Sequence, residues 1–246
     1  MIKAVIFDMF ETLVTHYESP LYMGKQICFD IGISEQKFRE IWNTTDDDRT
    51  LGKRSLEEVI EEILQTNNCY SQELFDKIIA KRKLSKQECF EHLHPEIIPL
   101  LDVLKEMNIK IGLITNCYFE ESEVIKNSIL FHYFDSICMS CELGIKKPDV
   151  KIFQKCMEDL EVSPEECIYV GDGGSFELET ARSLGMRPIQ ATWYFKDGVN
   201  QPVNIKKEFL QVDYPLGIVG EVKNCSNNVD EKTERNKNEL FRKLLF

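Results

Sequence analysis

The sequence predicts an α/β protein, a doubly wound parallel-sheet core with an α-helical block inserted after its first strand. Three observations carry the prediction. Beyond about residue 95, short apolar runs alternate with stretches of helical period, the pattern of a parallel sheet clothed by helices on both faces. The opening run, Ile2 to Phe7, is separated from the others by residues 15–90, where apolar residues recur at helical spacing and no strand pattern emerges. The runs also end in polar residues, Asp8, Thr115 and Asp172, at the strand ends where open α/β sheets bind ligands.

Taken in order, Ile2 to Phe7 reads as a buried parallel strand that stops at a carboxylate, Asp8. In the helical block Phe38, Ile41 and Trp42 share one face, as do Leu56, Val59, Ile60, Ile63 and Leu64. Ser55 with Glu58 forms a capping box ahead of the second set. Leu74, Phe75, Ile78 and Ile79 make a third face. Pro95 opens a helix with Ile97, Leu100, Leu101, Leu104 and Met107 aligned, and Asn108 closes it. Ile109 to Ile114 is the second strand, a third ends near Met139, and a helix follows with Phe153, Cys156, Met157 and Leu160 aligned. Ser163-Pro164-Glu165-Glu166 is a capped turn before the fourth strand, Cys167 to Val170. A helix ending at Leu184-Gly185 precedes a fifth strand from Pro188 to Thr192. The predicted division is 1–14 and 92–220 for the core, 15–91 for the insertion and 221–246 for a polar, solvated tail.

Composition narrows the function. The chain has 246 residues and a net charge of −12, so its surface repels nucleic acid and anionic lipid; neither is an expected partner, and a small-molecule substrate is. No apolar run reaches the roughly 20 residues of a membrane span, and the start of the chain is too short and too acidic for a signal peptide. A cytoplasmic protein with reduced thiols is expected, since nine cysteines cannot all pair within one chain. Cys138 and Cys141 have the spacing of a zinc half-site but lack a second pair, and read as small residues at a strand end. His16, His92, His94 and His132 are scattered; His16 alone lies close enough to the first strand to line an entrance.

A carboxylate, a hydroxyl, a lysine and a further acidic pair, each delivered by a successive connection, form a constellation. Asp8-Met9-Phe10-Glu11-Thr12, Leu113-Ile114-Thr115-Asn116, Lys147-Pro148-Asp149 and Gly171-Asp172 with Glu177 resemble, in order and spacing, the four motifs of the haloacid dehalogenase-like hydrolase superfamily. The resemblance covers about residues 1 to 195, and the insertion resembles that family's helical cap of the first type. It implies a Mg²⁺-dependent hydrolase acting on a small phosphorylated metabolite through an aspartyl phosphate. Asp8 would be the nucleophile, with Asp8, the Phe10 carbonyl, Asp172 and Glu177 at the metal. Lys147 and Thr115 would neutralise the transferring group, and Thr12 and Asn116 would contact substrate. The charges agree with this reading. A carboxylate about 4 Å from a phosphoryl charge costs roughly 4 kcal/mol at an effective dielectric near 20, so so many acids around phosphate require a divalent cation.

Phe10 departs from the pattern. The family's phosphatases carry a second aspartate there that protonates the leaving oxygen, a contribution of roughly 10²- to 10⁴-fold. Alkyl phosphates should suffer most from its loss, acyl and aryl phosphates least. The metal-independent dehalogenase branch carries an aromatic at this place, which makes carbon–halogen hydrolysis the second expectation, with Arg39, Arg49 or Arg54 as the haloacid's carboxylate contact. Glu11 is a candidate substitute proton carrier. A binding or regulatory module with negligible turnover is the third expectation. The metal motif involves more residues than one aromatic, which favours phosphoryl chemistry.

Overall fold

The computed structural model describes residues 1–196 and 203–225. Its elements in chain order are β1 (Ala4–Phe7), α1 (Gly24–Ile31), α2 (Glu35–Trp42), α3 (Asp46–Thr50), α4 (Leu56–Thr66), α5 (Gln72–Glu88) and α6 (Ile97–Glu106), then β2 (Lys110–Thr115), α7 (Phe119–Asn127), β3 (Ser136–Met139), α8 (Ser140–Leu143) and α9 (Val150–Leu160), followed by β4 (Cys167–Gly171), α10 (Glu177–Leu184), β5 (Arg187–Ala191) and β6 (Leu210–Val212). Residues 217–225 form a further helix, α11. The strands make one parallel sheet in the order β3-β2-β1-β4-β5-β6.

That order makes β1 the hub. It pairs with β2 on one side and β4 on the other, with Phe7 opposite both Leu113 and Val170. Because all strands run the same way, the residues that follow β1, β2 and β4 emerge side by side at one edge. The alternation of side chains divides the core between two faces. Val5, Phe7, Ile111 and Leu113 pack with α6 and α11, whereas Ala4, Ile6, Ile114 and Tyr169 pack with α9 and α10. Cys138 and Cys141 fall on opposite faces, and among the described residues neither belongs to a cluster that could hold a metal ion.

Helices α1, α2, α4 and α5 carry a hydrophobic cluster of their own, including Ile27, Phe38, Val59, Ile60, Ile63 and Ile78. Ser34, Ser55 and Ser71 cap α2, α4 and α5 by accepting from Lys37, Glu58 and Leu74 N–H, and Ser55 with Glu58 forms the predicted capping box. Two features were not anticipated. The short edge strand β6 extends the sheet beyond β5, and α11 continues past residue 221 with Val222 buried on the core. The first five residues of the expected polar tail are therefore helical, and 226–246 lie outside the described residues.

A candidate active site at the strand ends

Asp8 begins where β1 ends, its N–H donating to Val170 O at 2.9 Å, so the chain leaves the sheet beside β4. The turn that follows is tight: Leu13 and Val14 N–H both return to Met9 O, and Glu11 takes a left-handed backbone conformation (φ 58°). Asp172 follows β4. Asp8, Asp172 and Glu177 each present a carboxylate oxygen within 4.8 Å of the others, all from buried residues. Lys147, after α8, places its Nζ 2.7 Å from Asp8 Oδ1 and 2.6 Å from Glu177 Oε2. Asp8, Lys147, Asp172 and Glu177, from three of the four motifs, are thus brought together.

Glu177 was expected among the metal ligands, yet both its oxygens already accept from protein donors. Oε1 takes Gly173 N–H at 3.0 Å, while Oε2 takes Tyr169 O–H at 2.8 Å as well as Lys147. It anchors the lysine. Gly171 makes room for it, since a Cβ at that position would collide with Glu177 Oε1. Asn116 was expected to touch substrate. Its amide instead clamps the lysine's backbone, accepting from Lys147 N–H at 2.8 Å and donating to Lys147 O at 3.1 Å, while it also lines the cleft. Thr12 and Thr115 are fully buried, and neither hydroxyl has a hydrogen-bond partner among the described residues. An orphan hydroxyl at the end of β2 is costly unless something visiting the site accepts from it.

Electrostatics point the same way. Burial pushes the Asp8 carboxyl up to about 7, with Glu177 adding to the rise and Lys147 opposing it. Burial, then the charges of Glu177 and Asp8, push Asp172 up to about 8. Burial works against the Lys147 charge, but Asp8 and Glu177 outweigh it and hold the ammonium protonated well above its ordinary range. One ammonium therefore does not neutralise the two aspartates. The donor set, hard carboxylate oxygens with a shortage of positive charge, fits Mg²⁺ held by Asp8 and Asp172.

Phe10 sits where a proton donor was looked for, and its ring stacks on His16 at 4.7 Å with Phe90 edge-on at 6.5 Å. Burial and the neighbouring Lys86 lower the His16 pKa. A neutral ring donating from Nδ1 to Glu11 Oε1 (3.1 Å) and accepting at Nε2 from Lys86 Nζ (2.6 Å) satisfies both contacts. Glu11 also accepts from Thr15 O–H and His16 N–H. Lys86 in turn pairs with Glu121 Oε1 at 2.6 Å. Burial works to raise Glu121, but Lys86 and Arg82 overcome it and hold the carboxyl at about 2. This buried chain of charges joins α5 to α7, and sequence reading missed it; the available signal was Arg82 and Lys86 lying on the face of α5 that also carries Ile78.

None of the three arginines lines the cleft beside Lys147. Arg39 is exposed and pairs with Glu35, and Arg54 pairs with Glu62. Arg49 is buried: its Nη2 lies 3.4 Å from Asp46 Oδ1, its guanidinium sits 3.8 Å from the Trp42 ring centroid and 4.3 Å from that of Tyr118, and Nε and Nη1 have no hydrogen-bond partner among the described residues.

With this geometry in hand, comparison with known proteins is informative. Residues 2–185 match the family model of the haloacid dehalogenase-like hydrolases. Glyceraldehyde 3-phosphate phosphatase of Methanopyrus kandleri is 34% identical over 98 residues, 39% of this chain and 42% of that protein, so the similarity spans about two-fifths of the relative. Among solved structures, a haloacid dehalogenase-type phosphatase from Thermococcus onnurineus superimposes with a TM-score of 0.57 at 21% identity, over 88% of this chain and 96% of the other. A 2-haloacid dehalogenase from Pseudomonas syringae superimposes with a TM-score of 0.63, also at 21% identity, over 90% and 98%. Phosphatase and dehalogenase share this fold, so the fold does not choose between them.

Proposed function

We propose that this chain, which belongs to the haloacid dehalogenase-like hydrolase family, is a Mg²⁺-dependent phosphohydrolase acting on a small phosphorylated metabolite. The observation that carries the reading is Asp172. A second buried carboxylate beside Asp8, pushed up to about 8, burdens an enzyme that needs no cation and serves one that binds Mg²⁺. Asp8 and Asp172, with the Phe10 carbonyl, would hold the ion, which when bound neutralises phosphoryl oxygens. Glu177 and Asn116 are assigned to positioning Lys147.

The chemistry of the chain's own residues follows. A carboxylate oxygen of Asp8 forms a bond to phosphorus while the bond from phosphorus to the leaving oxygen breaks, and that oxygen departs with the electron pair. Lys147 lies against Asp8 and balances its charge, and the orphan Thr115 hydroxyl donates to a phosphoryl oxygen. Water then attacks the aspartyl phosphate, restoring the Asp8 carboxylate and releasing inorganic phosphate and a proton. Phe10 cannot protonate the leaving oxygen, so phosphates whose leaving group is stable as an anion are the preferred substrates. Helices α1 to α5 serve as a cap that excludes water and carries specificity.

Phe10 supports one competing reading, metal-independent haloacid hydrolysis. Against it, among the described residues no arginine or lysine of the helical insertion lines the cleft to receive a haloacid's carboxylate. The test is direct: wild type and Asp8→Asn are incubated with acetyl phosphate, p-nitrophenyl phosphate, an alkyl phosphate and 2-haloacids, with Mg²⁺ or EDTA. Phosphate release by wild type alone, requiring Mg²⁺ and slowest on the alkyl ester, is expected. Halide release indifferent to EDTA would replace this reading with the competing one.

A further inference from the structure

We propose that Cys117 and Cys141 form a reversible disulfide when the protein meets a hydroperoxide, and that the bonded form turns over slowly because the bond draws on the two loops that place Asn116 and Lys147. Such a site lies apart from the reacting groups. Its effect does not depend on the leaving group, since Lys147 balances the charge of Asp8 whichever atom Asp8 attacks.

The two sulfur atoms lie 3.8 Å apart in the core cluster on one face of the sheet. Their backbones are already tied together: Cys117 N–H donates to Ser140 Oγ at 3.0 Å, and the Ser140 hydroxyl donates back to Cys117 O at 3.2 Å. Bonded sulfurs lie about 2.0 Å apart, so closure asks for an approach of about 1.8 Å between segments held side by side. Cys141 is buried just beneath the surface, because the next two residues, Glu142 and Leu143, are exposed. A molecule as small as a peroxide has little protein to cross. Hydrogen bonding to Cys117 lowers the Cys141 pKa; burial opposes this and Ser122 assists it, so Cys141 is the thiol that ionises and reacts first. Its thiolate attacks one oxygen of the hydroperoxide, the O–O bond breaks, and the other oxygen leaves with the electron pair and takes up a proton. Cys141 is then a sulfenic acid. Cys117 loses its proton and attacks the Cys141 sulfur, the S–O bond breaks, and water departs. Two thiols are oxidised and one peroxide is reduced.

What surrounds the pair gives the bond its effect. Cys117 directly follows Asn116, whose amide accepts from Lys147 N–H and donates to Lys147 O. Cys141 begins the segment that runs on to Lys147. Its carbonyl is also the seat of Gly52, in the turn between α3 and α4: a Cβ on Gly52 would collide with Cys141 O. Drawing the two cysteines together therefore pulls on the Lys147 clamp and on a point where the helical insertion rests on the core. A displacement of about 1 Å at a reacting group can cost about 10²-fold, so a share of the closing movement is enough to slow hydrolysis. Cys138 and Cys156 are also hydrogen-bonded neighbours, but they lie on the opposite face of the sheet in the cluster beneath α9.

The test treats the full chain with hydrogen peroxide, alkylates the remaining thiols and maps the peptides by mass spectrometry without reduction. Turnover is followed with acetyl phosphate and Mg²⁺, or with a 2-haloacid if that is what wild type hydrolyses. A Cys117–Cys141 cross-link should appear, turnover should fall by about tenfold or more, and dithiothreitol should restore it. Reduced Cys117→Ala and Cys141→Ala should hydrolyse at about the wild-type rate and should resist peroxide, whereas Cys138→Ala should stay as sensitive as wild type. Should one variant fail to fold, the wild-type map and the other variant still decide. No Cys117–Cys141 cross-link in oxidised wild type overturns the proposal. So does a cross-linked protein with undiminished turnover, or equal inactivation of Cys117→Ala or Cys141→Ala, and none of these outcomes touches the phosphohydrolase reading.

Discussion

Taking the metal away should leave the free protein less stable as pH rises, and replacing Asp172 should cure this. A carboxyl whose pKa is higher folded than unfolded contributes its full stability below the unfolded value and loses it as pH climbs through the folded one. Asp172 rises from 3.8 to about 8, driven by burial and by the charges of Glu177 and Asp8. Between pH 5.5 and that value about 3 kcal/mol of its contribution is lost, and this is the part that Asp172→Asn removes. For a chain of this size, about 3 kcal/mol corresponds to roughly 10 °C in the unfolding midpoint. His16 works in the opposite direction, since its lowered pKa means stability gained as pH rises through the ordinary 6.5. The comparison is therefore made against Asp172→Asn, which carries the same histidine. Thermal unfolding in EDTA between pH 5.5 and 8.5 should show wild type falling relative to the variant by up to about 10 °C. Mg²⁺ should lift wild type more at pH 8.5 than at 5.5 and should scarcely lift Asp172→Asn. Parallel pH profiles for the two proteins in EDTA, or an equal Mg²⁺ effect on both, would refute the argument that the two aspartates repel and await a cation.

Three shorter predictions follow from contacts around Lys147 and Phe10. Gly171→Ala drives a methyl group into Glu177, so stability should fall by about 1–3 kcal/mol by denaturant titration, with acetyl phosphate turnover falling in step. Glu177→Gln removes one of the two anions that keep Lys147 charged; the alkaline limb of its kcat/KM profile should move to lower pH, which loss of packing alone would not cause. Phe10→Asp should raise turnover of an alkyl phosphate relative to acetyl phosphate by about 10²-fold, the lower end of what a proton donor contributes, measured as the ratio of the two rates.

The parts of the molecule legible in the sequence are those where one local signal has one physical meaning. Apolar runs ending at Asp8, Thr115 and Gly171 locate β1, β2 and β4, because a buried strand must stop where a polar side chain is needed. Ser55 with Glu58 and Gly185 fixed helix ends through their own hydrogen bonds and backbone freedom. Three-residue β6 has no period to read and owes its existence to the exposed edge of β5. The hydrogen bonds that Glu177 and Asn116 make to Lys147 were illegible for a different reason. Both lie in the right motif, but whether an oxygen faces a metal or a lysine depends on side chains from β4 and α8's following loop meeting in space. Glu120 and Glu121 look like an ordinary acidic first turn of α7, and only the packing of α5 across them shows that they are buried opposite Arg82 and Lys86.

On the proposed reading, a phenylalanine in place of the proton donor and a cation held by Asp8 and Asp172 belong together once charges are counted. Asp8, Asp172, Glu177 and Lys147 together carry two net negative charges when all are ionised, and a phosphoryl dianion brings two more. A divalent cation brings the approach of nucleophile to phosphorus within reach, and it does so whatever the leaving group is. Proton donation matters only at the other end of the reacting bond. Phe10 therefore alters which leaving oxygens depart readily while leaving attack by Asp8 untouched. A carbon–halogen substrate presents a neutral carbon to Asp8, and Asp172, a buried carboxyl raised by desolvation and by its acidic neighbours, would then burden the site and give nothing in return. Selection by leaving group, with the cation requirement intact, is the chemistry that uses every residue assembled at this strand edge.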